Sequence, residues 1–227
     1  MKKLVLLLWA FLILLPNANA TPIYWTDWTS STNSSSPLAD SVIGTLNGVN
    51  VTYSGDFTFV QTGTGINYWT EPLPANKPYT GNSVISNAPT ASEMIALNTQ
   101  TTNTLKFSSP ITNPILAIVS MGQPNFSVTY DFSEDYTYIG SGWGYWSAVT
   151  GQAGAYTILS SEIFQGRELH GVLLFIGTFS EISWTSTAEN WHGFTVGTPV
   201  PEPISMLLFG TGLVGVSGYV RKKIKRN

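Results

Sequence analysis

Between Thr21 and Thr198 no stretch of ten or more residues shows an apolar period near 3.6, and several stretches alternate apolar with polar side chains, which predicts strands. Two β-rich runs, Val42-Ile43-Gly44-Thr45-Leu46 and Val49-Asn50-Val51-Thr52-Tyr53, flank Asn47-Gly48. That order predicts a hairpin with a type I′ turn, because Asn and Gly both tolerate positive φ. Ser54-Gly55-Asp56 then turns the chain into Phe57–Val60. Phe126, Val128, Tyr130 and Phe132 alternate with polar residues, so a strand there has one wet face. Ile115-Leu116-Ala117-Ile118-Val119 is continuously apolar, and the strand Ile115–Met121 is expected to be central. Further strands are expected at Thr104–Phe107, Tyr136–Ile139, Ala155–Leu159, His170–Ile176, Glu181–Thr185 and Gly193–Val196, and one short helix around Ala91–Leu97. About ten strands with short Gly/Asn/Pro connections predict an all-β fold, a two-sheet antiparallel sandwich of the jelly-roll or lectin-like kind over residues 21–198. No internal repeat is visible, and Ser30–Ser36 is the one low-complexity stretch.

The two ends break this pattern. Lys2 and Lys3 precede an apolar run from Leu4 to Leu15, followed by Pro16 and the small-residue ending Ala18-Asn19-Ala20. A charged start, a short apolar stretch and an A-x-A site predict a signal peptide at residues 1–20, cut by signal peptidase after Ala20. At the other end Val200-Pro201-Glu202-Pro203 leads into an uncharged run, Ile204–Val220, and then Arg221, Lys222, Lys223, Lys225 and Arg226. As a helix, residues 204–220 would span roughly 25 Å, the lower limit for crossing the inner membrane. The basic tail 221–226 would hold that end in the cytoplasm. The ectodomain would then lie outside the inner membrane, in agreement with the signal peptide. Gly210-Thr211-Gly212-Leu213-Val214-Gly215 fits G-x-G-x-x-G, but an apolar span is the wrong setting for a dinucleotide fingerprint. These glycines suit close packing against another membrane helix. Prolines at 199, 201 and 203 predict an extended, stiff segment before the membrane.

Charge sharpens the division. The net value of −3 over 227 residues comes from 10 Lys+Arg and 13 Asp+Glu. Residues 21–200 hold Lys77, Lys106 and Arg167 against twelve acids, a charge of −9, while residues 1–20 carry +2 and residues 201–227 carry +4. Such an ectodomain is not a nucleic-acid binder, which needs a basic excess. Zero cysteines exclude disulfides, thiolate zinc sites and cysteine nucleophiles.

Candidate chemistry is sparse. No G-x-S-x-G occurs, and the only histidines are His170, expected at a strand edge, and His192, expected in the turn before Gly193. Asp131, Glu134 and Asp135 cluster in an expected hairpin loop and are weak Ca²⁺ candidates, without a D-x-[DN]-x-[DN]-G loop. Glu162, Glu168, Glu181 and Glu189 are scattered, and a glycosidase would need two carboxylates a few ångströms apart in a cleft. No catalytic residue, resident metal or cofactor is expected. Aromatics are in excess: Trp143-Gly144-Tyr145-Trp146 follows Gly140 and Gly142, while Trp25, Trp28, Tyr68 and Trp69 are expected in polar loops. Rings like these either pack the ends of a sandwich or present faces on which sugars stack. Trp143, Tyr145 and Trp146 are the candidate glycan-stacking residues.

Val200-Pro201-Glu202-Pro203, the glycine-rich apolar run and the terminal basic cluster resemble the PEP-CTERM sorting domain (residues 199–227) of exopolysaccharide-producing Gram-negative bacteria. The resemblance implies that Pro201, Glu202 and Pro203 form a motif read by exosortase, a membrane cysteine enzyme, and that Arg221–Arg226 is a retention signal. It implies a precursor anchored in the inner membrane with its ectodomain in the periplasm, then a product at the cell surface or in the extracellular matrix. The strings Gly166-Arg167-Glu168-Leu169-His170-Gly171, Gly177–Trp184 and His192–Gly197 are similar to the last strands of many PEP-CTERM ectodomains, which carry no assigned activity. The functional expectation is a non-enzymatic matrix or envelope protein that contacts exopolysaccharide. The alternatives are an extracellular glycan hydrolase, which would need a deep acidic cleft with two carboxylates, and a purely structural or adhesive protein.

Overall fold

The computed structural model describes residues 20–33, 40–90, 93–146 and 154–201. The expected signal peptide up to Asn19, the expected membrane helix 204–220, Glu202, Pro203 and the basic cluster Arg221–Arg226 lie outside the described residues. Among those described, no helix is long and apolar enough to cross a membrane.

The described chain is all strand and connection. The first half contains β1 (Ile23–Trp25), β2 (Asp27–Thr32), β3 (Ser41–Leu46), β4 (Val49–Ser54), β5 (Phe59–Gln61), β6 (Met94–Leu97) and β7 (Thr102–Thr112). The second half contains β8 (Ile115–Met121), β9 (Val128–Phe132), β10 (Thr137–Gly142), β11 (Ala155–Ile158), β12 (Ile163–Arg167), β13 (Leu169–Leu174), β14 (Thr178–Ser186) and β15 (His192–Pro199). They form two antiparallel sheets, ordered β10-β13-β8-β15-β6-β5 with β1 also on β15, and β11-β12-β9-β14-β7-β4-β3-β2. From β7 onward the chain crosses repeatedly between the sheets. The crossings from β12 to β13 and from β13 to β14 turn at Glu168 (φ 51°) and Gly177 (φ 143°). Among the described residues the strand pairings run from Ile23 to Pro199, and this segment holds its own core.

The β3–β4 hairpin forms as expected, with Asn47 at φ 48° and Gly48 at φ 81°, the signs a type I′ turn requires. On the eight-stranded sheet inward residues such as Val51, Tyr53, Leu105, Phe107, Tyr130, Phe132, Ile182 and Trp184 alternate with outward polar ones. The wet face carries the cross-strand pair Lys106 Nζ–Glu181 Oε2 at 3.4 Å.

The seven-stranded sheet is buried on both faces. Leu116, Ile118 and Met121 of β8 join the core between the sheets, whereas Ile115, Ala117 and Val119 join a second core on the outer side. That second core is built by the long connection between Gln61 and Met94, which lays Trp69, Tyr79 and Ile85 over the sheet. Glu71 braces the connection by accepting the N–H groups of Tyr79 (2.9 Å) and Thr80 (2.7 Å). β8 is therefore central, flanked by β13 and β15.

Double burial also explains a failed expectation. The apolar run ending at Leu97 forms β6, not a helix; Ile95 and Leu97 face one core, Met94 and Ala96 the other, and Ala91 lies outside the described residues. A short continuous apolar run fits either state by pattern, and only its pairing with β5 and β15 decides. The expected strand at Phe126–Phe132 begins at Val128, with Phe126 exposed before it. Asp131, Glu134 and Asp135 do not sit in a hairpin: Asp131 lies on β9 and the other two on the crossing from one sheet to the other. Among the described residues no group of three His, Asp or Glu gathers to hold a metal.

Candidate functional site

Most of the tryptophans expected in polar loops are core. Trp25 lies on β1 and Trp28 on β2, and both are buried with Trp69. Their indole N–H groups donate inward: Trp28 to Thr195 Oγ1 (3.1 Å), Trp69 to Glu93 O (3.0 Å) and Trp25 to Asn87 O (3.2 Å). A satisfied, buried indole has no face left for a ligand.

The loop after β10 differs. Tyr145 and Trp146 join Tyr68, from the long connection, and Trp191, from the turn before β15, in one half-buried cluster. Tyr68 meets Tyr145 and Trp191 edge-on at 4.9 and 5.2 Å between ring centroids, and stacks on Trp146 at 6.2 Å with planes 28° apart. Tyr145 meets Trp146 at 4.9 Å, and Trp146 meets Trp191 at 6.4 Å with planes 69° apart. Trp143 stands outside this cluster; its backbone N–H donates to Asn76 O at 2.7 Å.

The loop is seated on His170. A Cβ at position 144 would overlap the His170 ring, so only glycine lets the backbone approach this closely. His170 is not at a strand edge; it is an interior residue of β13, fully buried, with neither ring nitrogen hydrogen-bonded. Burial lowers its pKa to about 3, which keeps the ring neutral.

Trp146 and Trp191 wall a cavity of about 390 Å³. Its remaining lining comes from Ser120, Gly122, Gln123, Pro124, Glu168, Glu189 and Asn190. Three backbone irregularities shape it: Ser120 (φ 53°), Gly122 (φ 81°) and Glu168 (φ 51°) are all left-handed. At Ser120 the β8–β13 pairing slips, two residues of β8 (Val119 and Ser120) opposing one of β13 (His170) between the Ile118–Gly171 and Met121–Leu169 pairs. This bulge turns Met121 into the inter-sheet core and opens the strand end at the cavity. At Glu168 the chain leaves β12 in one sheet and enters β13 in the other with no intervening loop, which sets the carboxyl in the cavity wall. A non-glycine residue in this conformation costs about 1–2 kcal/mol, which the sheets on both sides must sustain.

The two carboxylates differ in support. The Glu189 side chain is 1% exposed; its Oε1 accepts the Gly122 N–H at 2.8 Å and lies 2.7 Å from Nδ1 of buried His192, off the axis of a hydrogen bond. Glu168 is half-buried, and desolvation, with the charge of Glu189 second, raises its pKa above the ordinary carboxylate value. His192, expected in a turn, is the first residue of β15.

Of the three expected stacking residues, Tyr145 and Trp146 thus share a cluster, and Trp146 alone lines the cavity. Trp191, Glu168 and Glu189 were not anticipated as partners. The available hint was Glu189-Asn190-Trp191-His192-Gly193, a polar, aromatic, glycine-ended string of the same type as residues 143–146.

Residues 199–223 match the PEP-CTERM protein-sorting motif. No curated protein and no solved structure matches the chain. The motif implies processing by exosortase, a membrane enzyme, and a destination at the cell envelope or surface. It begins at the last residue of β15. β15 pairs with β1 through Pro199, Val200 N–H donates to Pro22 O at 2.8 Å, and Pro201 is exposed.

Proposed function

We propose that the mature ectodomain is a non-enzymatic glycan-binding β-sandwich, delivered by its sorting motif to the cell surface or matrix, where it contacts exopolysaccharide. The observation that carries this reading is the cavity between Trp146 and Trp191, with Asn190, Gln123 and Ser120 beside the indoles. Sugar rings offer apolar C–H faces to aromatic rings and hydroxyls to amide and hydroxyl side chains, and the cavity supplies both in a volume within the range of small-ligand sites. Trp143 is not assigned to the site. Before the sorting enzyme acts, a helix at residues 204–220 and the tail Arg221–Arg226 would hold the precursor in the inner membrane.

The test is a glycan array probed with the chain and with Trp146→Ala/Trp191→Ala. Binding that weakens roughly ten-fold or more in the double variant supports the assignment. Binding that survives it removes the site, and no binding to any glycan leaves a structural or adhesive role. A second reading, glycan hydrolysis, is favoured by one observation, Glu168 in the cavity wall with the buried carboxylate of Glu189 behind it. Release of new reducing ends from a bound glycan, abolished by Glu168→Gln, would replace the non-enzymatic assignment.

A further inference from the structure

The cavity is walled by two indoles and Glu168, with the carboxylate of Glu189 buried behind its wall, and among the described residues no lining residue is basic. Both acids are poorly hydrated there, and Glu189 has one oxygen committed to the Gly122 N–H and the His192 ring edge. Two like charges sharing a partly desolvated space repel, and an anionic ligand would add to that repulsion. The ectodomain as a whole works the same way, since residues 21–200 carry twelve acids against three basic groups. Two of those three are engaged away from the cavity, Lys77 with Glu71 and Lys106 with Glu181.

We infer that the cavity selects glycans bearing free amino groups, such as deacetylated amino-sugar chains, over neutral or acidic ones. An ammonium set against Glu168 would relieve its repulsion with the buried Glu189 carboxylate behind it and make charge-assisted hydrogen bonds to Glu168. The faces of Trp146 and Trp191 attract the same cation, while the pyranose ring stacks on the indole it does not use. The burial that raises the Glu168 pKa is the physical reason a bound cation is worth more here than on the open surface. The left-handed backbone of Glu168 fits the same role, because strain is kept where a side chain must be aimed.

This inference rests on the glycan-binding reading, and the experiment separates the two. The full-length chain in detergent micelles is titrated with a tetramer of β-1,4-linked N-acetylglucosamine and with the same tetramer fully deacetylated, in mildly acidic buffer that protonates the amines. The deacetylated tetramer should bind roughly ten-fold tighter. Glu168→Gln should bring the two within about three-fold of each other, while Glu181→Gln, which removes a charge outside the cavity, should leave the preference intact. Equal affinity for the two tetramers, preference for the acetylated one, or an equal loss in both variants overturns amine selection and leaves glycan binding standing. Failure of both tetramers together with a blank glycan array overturns the glycan reading as well.

Discussion

Acidification should unfold this domain through one residue, His170. An imidazole in the unfolded chain titrates near 6.5, whereas buried His170 titrates at about 3 with no partner on either nitrogen. Its folded-state pKa is depressed, so above pH 6.5 the residue contributes no penalty. Below that, the unfolded chain binds a proton that the folded chain refuses, and stability falls as pH drops toward 3. The slope is about 1.4 kcal/mol per pH unit, so roughly 2 kcal/mol is lost by pH 5 and at most about 5 by pH 3. Glu168 and Glu93 oppose this trend: burial raises their folded-state pKa values, so each favours the folded state at acid pH and loses that contribution as pH rises. The clean observable is therefore a difference. Urea unfolding of residues 21–201 and of the same segment with His170→Leu, at pH 7 and pH 5, should show the parent losing about 2 kcal/mol more than the variant. The His170 ring resonances should also stay in the neutral position to pH 4 in the folded protein. Parallel pH profiles for the two proteins, or a folded-state titration near 6.5, would refute the reasoning.

Two further outcomes are expected. Gly144→Ala drives a methyl into the His170 ring and should destabilise the domain by about 1–3 kcal/mol in urea titrations, with weakened glycan binding as Tyr145 and Trp146 are displaced. Replacing Pro201, Glu202 and Pro203 with alanines should leave the precursor in the inner-membrane fraction, and normal release of that variant would remove the sorting role of the motif.

The fold was legible where local chemistry leaves one solution. Asn47-Gly48 between β-branched runs admits one tight turn, and Phe132, Tyr130 and Val128 alternate because a sheet with one wet face has period two. It was illegible where neighbours decide. Ile163–Arg167 has two apolar side chains and a glycine in five residues, yet forms β12 because β9 and β11 pair with it on both sides. Asp27–Thr32 carries one large apolar residue, Trp28, and is a strand because it can add to the edge at β3. The candidate site divides in the same way. The loop at 143–146 announced itself by its aromatic and glycine density, but Glu168 and Glu189 look like any other surface acids in a list of twelve.

By itself the sequence determined the all-β class, the hairpin at Asn47-Gly48, the acidic balance of residues 21–200, and the sorting motif at residues 199–223, because each is written in contiguous residues. Only the tertiary structure decided which aromatics are core and which reach solvent. Trp28 has the more polar neighbours in sequence, yet strands β3 and β15 close over it while Trp146 stands at a cavity. It also decided that Trp146, Glu168 and Trp191 meet. Those residues are brought together by a one-residue bulge at Ser120 and a sheet crossing at Glu168, and both depend on the register between strands, which no contiguous stretch of sequence records.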